Sequence, residues 1–320
     1  MGIKYTVVTP SFERHFGQYR KLLKSAAKFC RDIDEVEFIA VLESKNVDAF
    51  EQMAAEVGVP HFRVVTTESI FEYFGIKRSA AEFLKNHKKF TFQSLKKLGG
   101  LLASVTKWSL VLDSECIFFS SFTAQDLFSD YEARKYVFYT STRARGKRWE
   151  KSLGAAVNEN ASKILGFDCG NRWYMDYFHW FYETDKVKDL VLHKLGGEFV
   201  QFIDDNASSD VGIFENVIYY CYLEKYWAEE YQFVDLKAEL SALLPSAISH
   251  RYVLDQLPFA EFGNDYLLSV LGPAEVKSLK PLFDKYRLPF IRLETPVISS
   301  RYCPAERRAG KGCRSLGSPS

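Results

Sequence analysis

Two periods of apolar and polar positions divide the first 120 residues. Short apolar blocks rich in β-branched side chains read as strands covered on both faces: Lys4–Thr9 (KYTVVT), Val36–Leu42 (VEFIAVL), His61–Thr66 (HFRVVT) and Ser109–Leu112 (SLVL). Between them the spacing lengthens to three or four. Tyr19, Leu22, Leu23, Ala26 and Ala27 mark a helix within Phe16–Cys30. A second helix opens at Asn46-Val47-Asp48, continues through Ala49–Val57, and stops at Gly58 with Pro60 just beyond. Leu95, Leu98, Leu101 and Leu102 share one face of a third, Phe92–Val105. The order β-α-β-α-β-(α)-α-β predicts parallel βαβ units, and so an α/β fold with a mostly parallel central sheet flanked by helices.

Beyond residue 120 the pattern is less regular. It predicts a mixed loop or short helix over Ala124–Arg134, a strand over Tyr136–Thr142 and a polar helix over Trp149–Leu165. A ring-rich block, Cys169–Leu195, follows, with Tyr177, Trp180 and Phe181 on one face at helical spacing. A short strand, Phe199–Ile203, runs into Asp204-Asp205-Asn206. Ser208, Ser209 and Asp210 are good caps for a long helix, Val211–Trp227. Strands at Gln232–Leu236 and Phe290–Leu293 bracket helices at Asp265–Leu271 and Ala274–Tyr286, and residues 304–320 read as a polar, disordered tail.

Composition narrows the functional classes. The chain has 320 residues, 47% hydrophobic, enough for a full core. A formal charge of +1 gives no electrostatic case for nucleic acid. The basic run Arg143–Arg148 is local; it reads as a solvated loop or a phosphate contact, and peripheral membrane contact stays open. The six cysteines lack metal-binding spacing, and Cys116 and Cys221 sit among apolar residues, which fits a reducing, cytoplasmic setting. The first residues enter a strand without the regions of a signal peptide, and no apolar run reaches transmembrane length. Aromatic residues make up 16% of the chain, a surplus that suits a cleft for a sugar or a base.

The chemistry gathers at Trp108–Phe119 (WSLVLDSECIFF). An apolar strand there delivers Asp113 and Glu115 to its own end, where ligands bind in open α/β sheets. Hard divalent cations, Mn²⁺ or Mg²⁺, take such carboxylates together with substrate phosphates. No glycine-rich phosphate loop follows any strand, so ordinary dinucleotide-binding and P-loop readings lack support.

A first strand ending VVTPS, a second ending near Glu43, and LVLDSE about a hundred residues in resemble glycosyltransferases of the GT-A fold. Gln93-Ser94-Leu95-Lys96-Lys97-Leu98 is similar to the Q-x-x-K-x-L helix that precedes the acidic triplet in some bacterial and viral members. The resemblance covers residues 3–120 well and the rest loosely. It implies a Rossmann-related GT-A-like domain over 1–303, its nucleotide-sugar half in 1–120 and its acceptor half, less regular, in 121–303. It also implies a metal-dependent transfer from a nucleotide-sugar such as a UDP- or GDP-sugar to a glycan or glycolipid hydroxyl. The triplet departs from the family pattern in having Glu115 where a second Asp is usual. Strand order places Thr9, Pro10, Ser11 and Glu43 to grip base and ribose. Lys96, Lys97 or Arg78 suit phosphate, and Ser114 joins the donor set with Asp113. Ile213-Phe214-Glu215-Asn216 is similar to the F-S-E-Y segment whose glutamate faces the active site, which makes Glu215 the candidate base, with Asp204 and Asp205 its rivals. His250 is a candidate further metal ligand.

Other readings share these marks. Haloacid-dehalogenase-type phosphatases place D-x-D after a strand, then a strand ending in Thr or Ser (here YTST), then an acidic pair (here IDDNASSD). Against that, their first motif normally opens the domain. A nucleotidyltransferase lacks its glycine-rich loop here. A non-catalytic sugar-binding or scaffold protein predicts no metal dependence.

Overall fold

The computed structural model describes residues 2–87, 89–118, 121–142, 153–175, 180–205, 212–235, 238–239 and 291–293. Its central sheet is built from β1 (Tyr5–Pro10), β2 (Val36–Leu42), β3 (Phe62–Thr66), β4 (Trp108–Val111) and a strand at Trp180–Glu183. The order is β3-β2-β1-β4 and then Trp180–Glu183, with the first four parallel and the last antiparallel to β4. All four sequence-predicted strands of the first half are therefore present, in one parallel sheet.

The pleat explains why these strands read as unbroken apolar runs. Successive side chains point to opposite faces. Val7, Phe38, Ala40, Leu42 and Leu110 join one buried cluster, with α1 (Phe16–Phe29) and α2 (Val47–Val57). Val8, Ile39, Val41 and Val111 join the other, which includes α3 (Thr67–Tyr73), α4 (Ala80–Asn86) and α5 (Lys89–Ala103). Gly58 ends α2 in the left-handed conformation, φ 80°, and its N–H donates to the Ala54 and Ala55 carbonyls.

One contact sets the position of α5. A Cβ on Gly100 would lie 2.5 Å from Val8 Cγ1 and 2.7 Å from Val41 Cγ2, and a Cβ on Gly99 would run into Ile70. Only glycine allows the helix this close to β1 and β2. One turn upstream of that contact stand Lys96 and Lys97.

The second half departs from several expectations. Phe199–Ile203 is not a strand but the middle of a helix, Gly196–Asp205. Phe199 and Ile203, both buried, are one helical turn apart, and the short apolar run hid that spacing. Trp180 and Phe181 do not share a helical face; they are consecutive in the edge strand and fall on opposite sides of the sheet. The expected helix Val211–Trp227 runs instead from Glu215 to Tyr226, with Phe214 extended at its N-cap. Every residue from Glu215 to Leu223 is buried, so this helix has no polar face. The run after Asp113 is a separate strand, Cys116–Phe118, antiparallel to Ile291–Leu293 as its partner. Ala124–Arg134 is a helix, and Tyr136–Ser141 pairs parallel with Gln232–Asp235. The 143–148 basic run, Tyr177, the proposed caps Ser208–Asp210, the helices expected after 264, His250 and the tail lie outside the described residues.

Candidate active site

The parallel strands deliver their C-terminal ends to one edge of the sheet. Asp113 lies just past β4, after Leu112, held in a tight turn by a hydrogen bond from Cys116 N–H to its carbonyl, 3.0 Å. Lys97, one turn before the glycine contact of α5, reaches this point. Its Nζ lies 3.2 Å from Asp113 Oδ1 and 3.2 Å from Glu215 Oε1. Its ammonium also stands 4.3 Å from the centre of the Trp180 ring. Asp113 and Glu215, far apart in sequence, thus meet on one nitrogen. Burial alone pushes the Lys97 ammonium down, but the charges of Asp113 and Glu215 more than reverse this and raise it above the ordinary lysine range.

Glu215 is held from both sides. Ser94 Oγ donates to its Oε2 at 2.7 Å, and its backbone N–H donates to Ser94 Oγ at 3.1 Å. The carboxylate is 2% exposed and begins a helix, where the helix dipole favours negative charge.

Across the turn, Glu115 meets the loop that follows β1. His15 Nδ1 lies 2.7 Å from Ser114 Oγ and 3.4 Å from Glu115 Oε1. Burial, and then the charge of Asp113, raise the Glu115 carboxyl above the usual carboxylate range. Asp113 and Glu215 thus bring two negative charges to the single Lys97 ammonium. Among the described residues, no three His, Cys, Asp or Glu side chains converge on a point that suits a metal ion. Asp113, already paired with Lys97, and Glu115, beside His15, are the two carboxylates at this strand end that could offer hard oxygens. Oxygen donors of that kind are the type that hard divalent cations take.

A second polar group lies beside the ends of β1 and β2. Lys96, 3% exposed, donates through Nζ to the Ser11 carbonyl and stands 5.4 Å from the Phe92 ring. Burial lowers its ammonium to about 8, partly offset by the more distant charges of Glu43 and Glu68. Thr9, Pro10 and Ser11 end β1 as expected, and Thr9 and Ser11 are fully buried. Glu43 follows β2 and pairs with Lys45 at 3.1 Å.

Three expected residues lie apart from the Lys97 cluster. Arg78 is bonded to Asp204, with His87 beside both. Asp205 accepts from Gln201 at 2.7 Å, one turn back on the same helix. Sequence reasoning missed His15, Ser94 and the role of Trp180. His15 lies a few residues past a strand end, which is itself a signal in an α/β sheet. Ser94 and Trp180 gave none, because their proximity is set by the way Glu215–Tyr226 and Trp180–Glu183 pack around α5 and β4.

No helix among the described residues is long and apolar enough to cross a membrane. No curated protein sequence matches the chain. Among solved structures, mouse xyloside xylosyltransferase 1 is similar at 11% identity and a TM-score of 0.41, over 73% of this chain and 86% of that one. The glycosyltransferase GlyE of Streptococcus pneumoniae TIGR4 is similar at 12% identity and a TM-score of 0.40, over 92% of this chain and 55% of that one, so this chain matches about half of GlyE. A structure of S. aureus TarS in complex with UDP-GlcNAc is similar at 12% identity and a TM-score of 0.32, over 58% of this chain and 47% of that one. Residues 10–181, more than half of the chain, match the model of a family described as a family of unknown function (DUF6492), and the chain belongs to that family.

Proposed function

We propose that this protein is a metal-dependent glycosyltransferase with a GT-A-like fold. It moves a sugar from a nucleoside-diphosphate donor, UDP- or GDP-linked, to a hydroxyl of a glycan or glycolipid. The observation that carries the reading is the meeting of Asp113, Lys97 and Glu215 at the C-terminal edge of a parallel sheet. A carboxylate pair at a strand end, a buried cation and a third, separately held carboxylate suit such a transfer.

Asp113 and Glu115 would hold the cation, which when bound supplies Lewis-acid neutralisation of the leaving diphosphate. Lys97, whose ammonium the two carboxylates stabilise, orients both Asp113 and Glu215. Ser94 fixes Glu215 so that its carboxylate keeps one rotamer. In an inverting reaction Glu215 takes the proton of the acceptor hydroxyl, a role that typically contributes about 10²–10⁴-fold. Trp180 closes one side of Lys97 against water and offers a ring to a sugar face.

The phosphatase alternative loses a feature. The acidic pair it would use, Asp204 and Asp205, occupies the last turn of a helix and is bonded to Arg78 and Gln201.

The test is release of UDP or GDP from a panel of nucleotide-sugars with Mn²⁺, with and without a mixed oligosaccharide acceptor. The reading expects release that stops on chelation and falls in Asp113→Ala. Full release by Asp113→Ala on a donor that the wild type uses would refute it.

A further inference from the structure

Two thiols that the candidate site does not use meet in the core of the second half. Cys169, 4% exposed, and Cys221, 1% exposed, are both unbridged and belong to one buried cluster. The Cys221 thiol donates a hydrogen bond to the Cys169 sulfur. Cys169 lies on the turn between the helix Leu153–Leu165 and the short strand Arg172–Trp173. Cys221 lies within the helix that begins at Glu215.

The seam around the pair is pinned on both sides. Asn216 Nδ2 donates to the Tyr174 carbonyl at 3.4 Å, the Tyr174 hydroxyl donates to Glu224, and Arg172 pairs with Glu224 at 3.1 Å. The Cys169 N–H donates to Ser162 Oγ at 3.0 Å, and Asn158 Nδ2 donates to the Arg172 carbonyl at 3.1 Å. Gly166 and Gly170, left-handed at φ 70° and 69°, carry the chain around the turn. The contact between the thiols is therefore built into the fold.

The two sulfurs are not equivalent. The hydrogen bond from Cys221, opposed by burial and helped by the Ser162 hydroxyl, brings the Cys169 thiol below the ordinary thiol range. Burial, and then the bond to Cys169, push the Cys221 thiol well above it. A thiolate with a protonated thiol beside it suits oxidation in two steps, because the thiolate is the nucleophile and the second thiol resolves the product. Cys30 is the contrast. Its thiol donates to Asp32 at 3.3 Å and is pushed up to about 12, chiefly by burial. The exposed residues Asp168 and Gly170 flank Cys169, so a small oxidant meets that side of the pair first.

We propose that Cys169 and Cys221 form a reversible disulfide on oxidation by a peroxide, tying the 166–170 turn covalently to the helix headed by Glu215. The Cys169 thiolate attacks one oxygen of hydrogen peroxide, the O–O bond breaks, and hydroxide leaves and takes a proton from solvent. The product is a sulfenic acid on Cys169. The Cys221 sulfur attacks it, the S–S bond forms, the S–O bond breaks, and the hydroxyl leaves as water with the Cys221 proton. The pair loses two electrons, and one peroxide becomes two waters. This chemistry is independent of the transferase reading.

The test treats the reduced full chain with hydrogen peroxide, quenches it with catalase, alkylates the remaining thiols in urea and maps the peptides without reductant by mass spectrometry. The expected result is one linked pair joining Cys169 to Cys221, two hydrogens lighter than the reduced peptides together and lost on adding dithiothreitol. Both thiols should disappear together, at least about tenfold faster than that of Cys30. In Cys221→Ser, oxidation should stop at Cys169 as a sulfenic acid that dimedone traps. Should that variant fold poorly, the wild-type map decides alone. Oxidation of Cys30 ahead of Cys169, a bridge from either cysteine to Cys303 or Cys313 instead, or both thiols still open to alkylation after excess peroxide overturns the proposal.

Discussion

Lys96 and Lys97 are neighbours on one helix, both buried, and their surroundings push them in opposite directions. Lys97 projects toward the end of β4 and finds two carboxylates, each 3.2 Å away. Lys96 projects toward the end of β1 and finds one neutral carbonyl and an aromatic face. Burial penalises both ammonium ions. Only at Lys97 do opposite charges outweigh that penalty, so its proton affinity rises while that of Lys96 falls to about 8. The two strand ends are thus electrically distinct places on one edge of the sheet. The β4 end is ionic. The β1 end is short of acceptors.

The largest effect expected from breaking this contrast is on turnover. Glu215→Gln keeps size and the Ser94 contact but removes the charge, and turnover should fall by about 10²–10⁴-fold in an inverting reaction. Asp204→Ala, on the carboxylate paired with Arg78, should fall by less than about threefold in the same assay. Equal losses would move the base away from Glu215.

Next comes stability. Lys97→Met leaves Asp113 and Glu215 facing each other without their cation. Removing one partner of a buried pair costs about 3–5 kcal/mol, and the partial exposure of Asp113 reduces that to about 2–4 kcal/mol in urea unfolding. Lys96→Met removes a buried amine that lacks an ion partner and should leave stability unchanged or raise it by about 1 kcal/mol. Equal destabilisation by the two substitutions would erase the distinction.

The pH dependence sharpens the same contrast. The Lys96 ammonium titrates at about 8 in the folded protein and near the ordinary 10.5 when unfolded. Between these values the unfolded chain binds the extra proton, so this residue's contribution to stability rises as pH increases from about 8 toward 10.5. Below pH 8 both states are protonated and the full cost of the buried charge is present. The difference between wild type and Lys96→Met should therefore shrink across that window, and a difference that stays flat would contradict the environment assigned to Lys96. The smallest effect expected is at Ser94. Ser94→Ala should lower stability by about 1–2 kcal/mol, measured by urea unfolding, because it leaves Glu215 Oε2 without its buried donor.

The first half of the chain was legible in its sequence because its signals are local. Apolar blocks of strand length, the Gly58 stop and the acid that ends β4 each speak for themselves within a few residues. The Gly99-Gly100 pair was legible only in the structure, since its meaning is a distance to Val8 and Val41. The second half misled where a short apolar run fits two periods, as at Phe199–Ile203, and where burial on all sides removes periodicity, as in Glu215–Tyr226. At the site, Asp113, Lys97 and Glu215 were each named from local motifs, but their meeting on one nitrogen is a property of packing. His15 and Trp180 reach the site through strand and loop neighbours that no local pattern encodes.

The most direct measurement is calorimetric titration of UDP and GDP into the protein with and without Mn²⁺, for the wild type and Asp113→Ala. The account predicts binding of at least one diphosphate that strengthens with Mn²⁺ and loses that gain in Asp113→Ala. Binding indifferent to both Mn²⁺ and Asp113 would contradict the account at its centre.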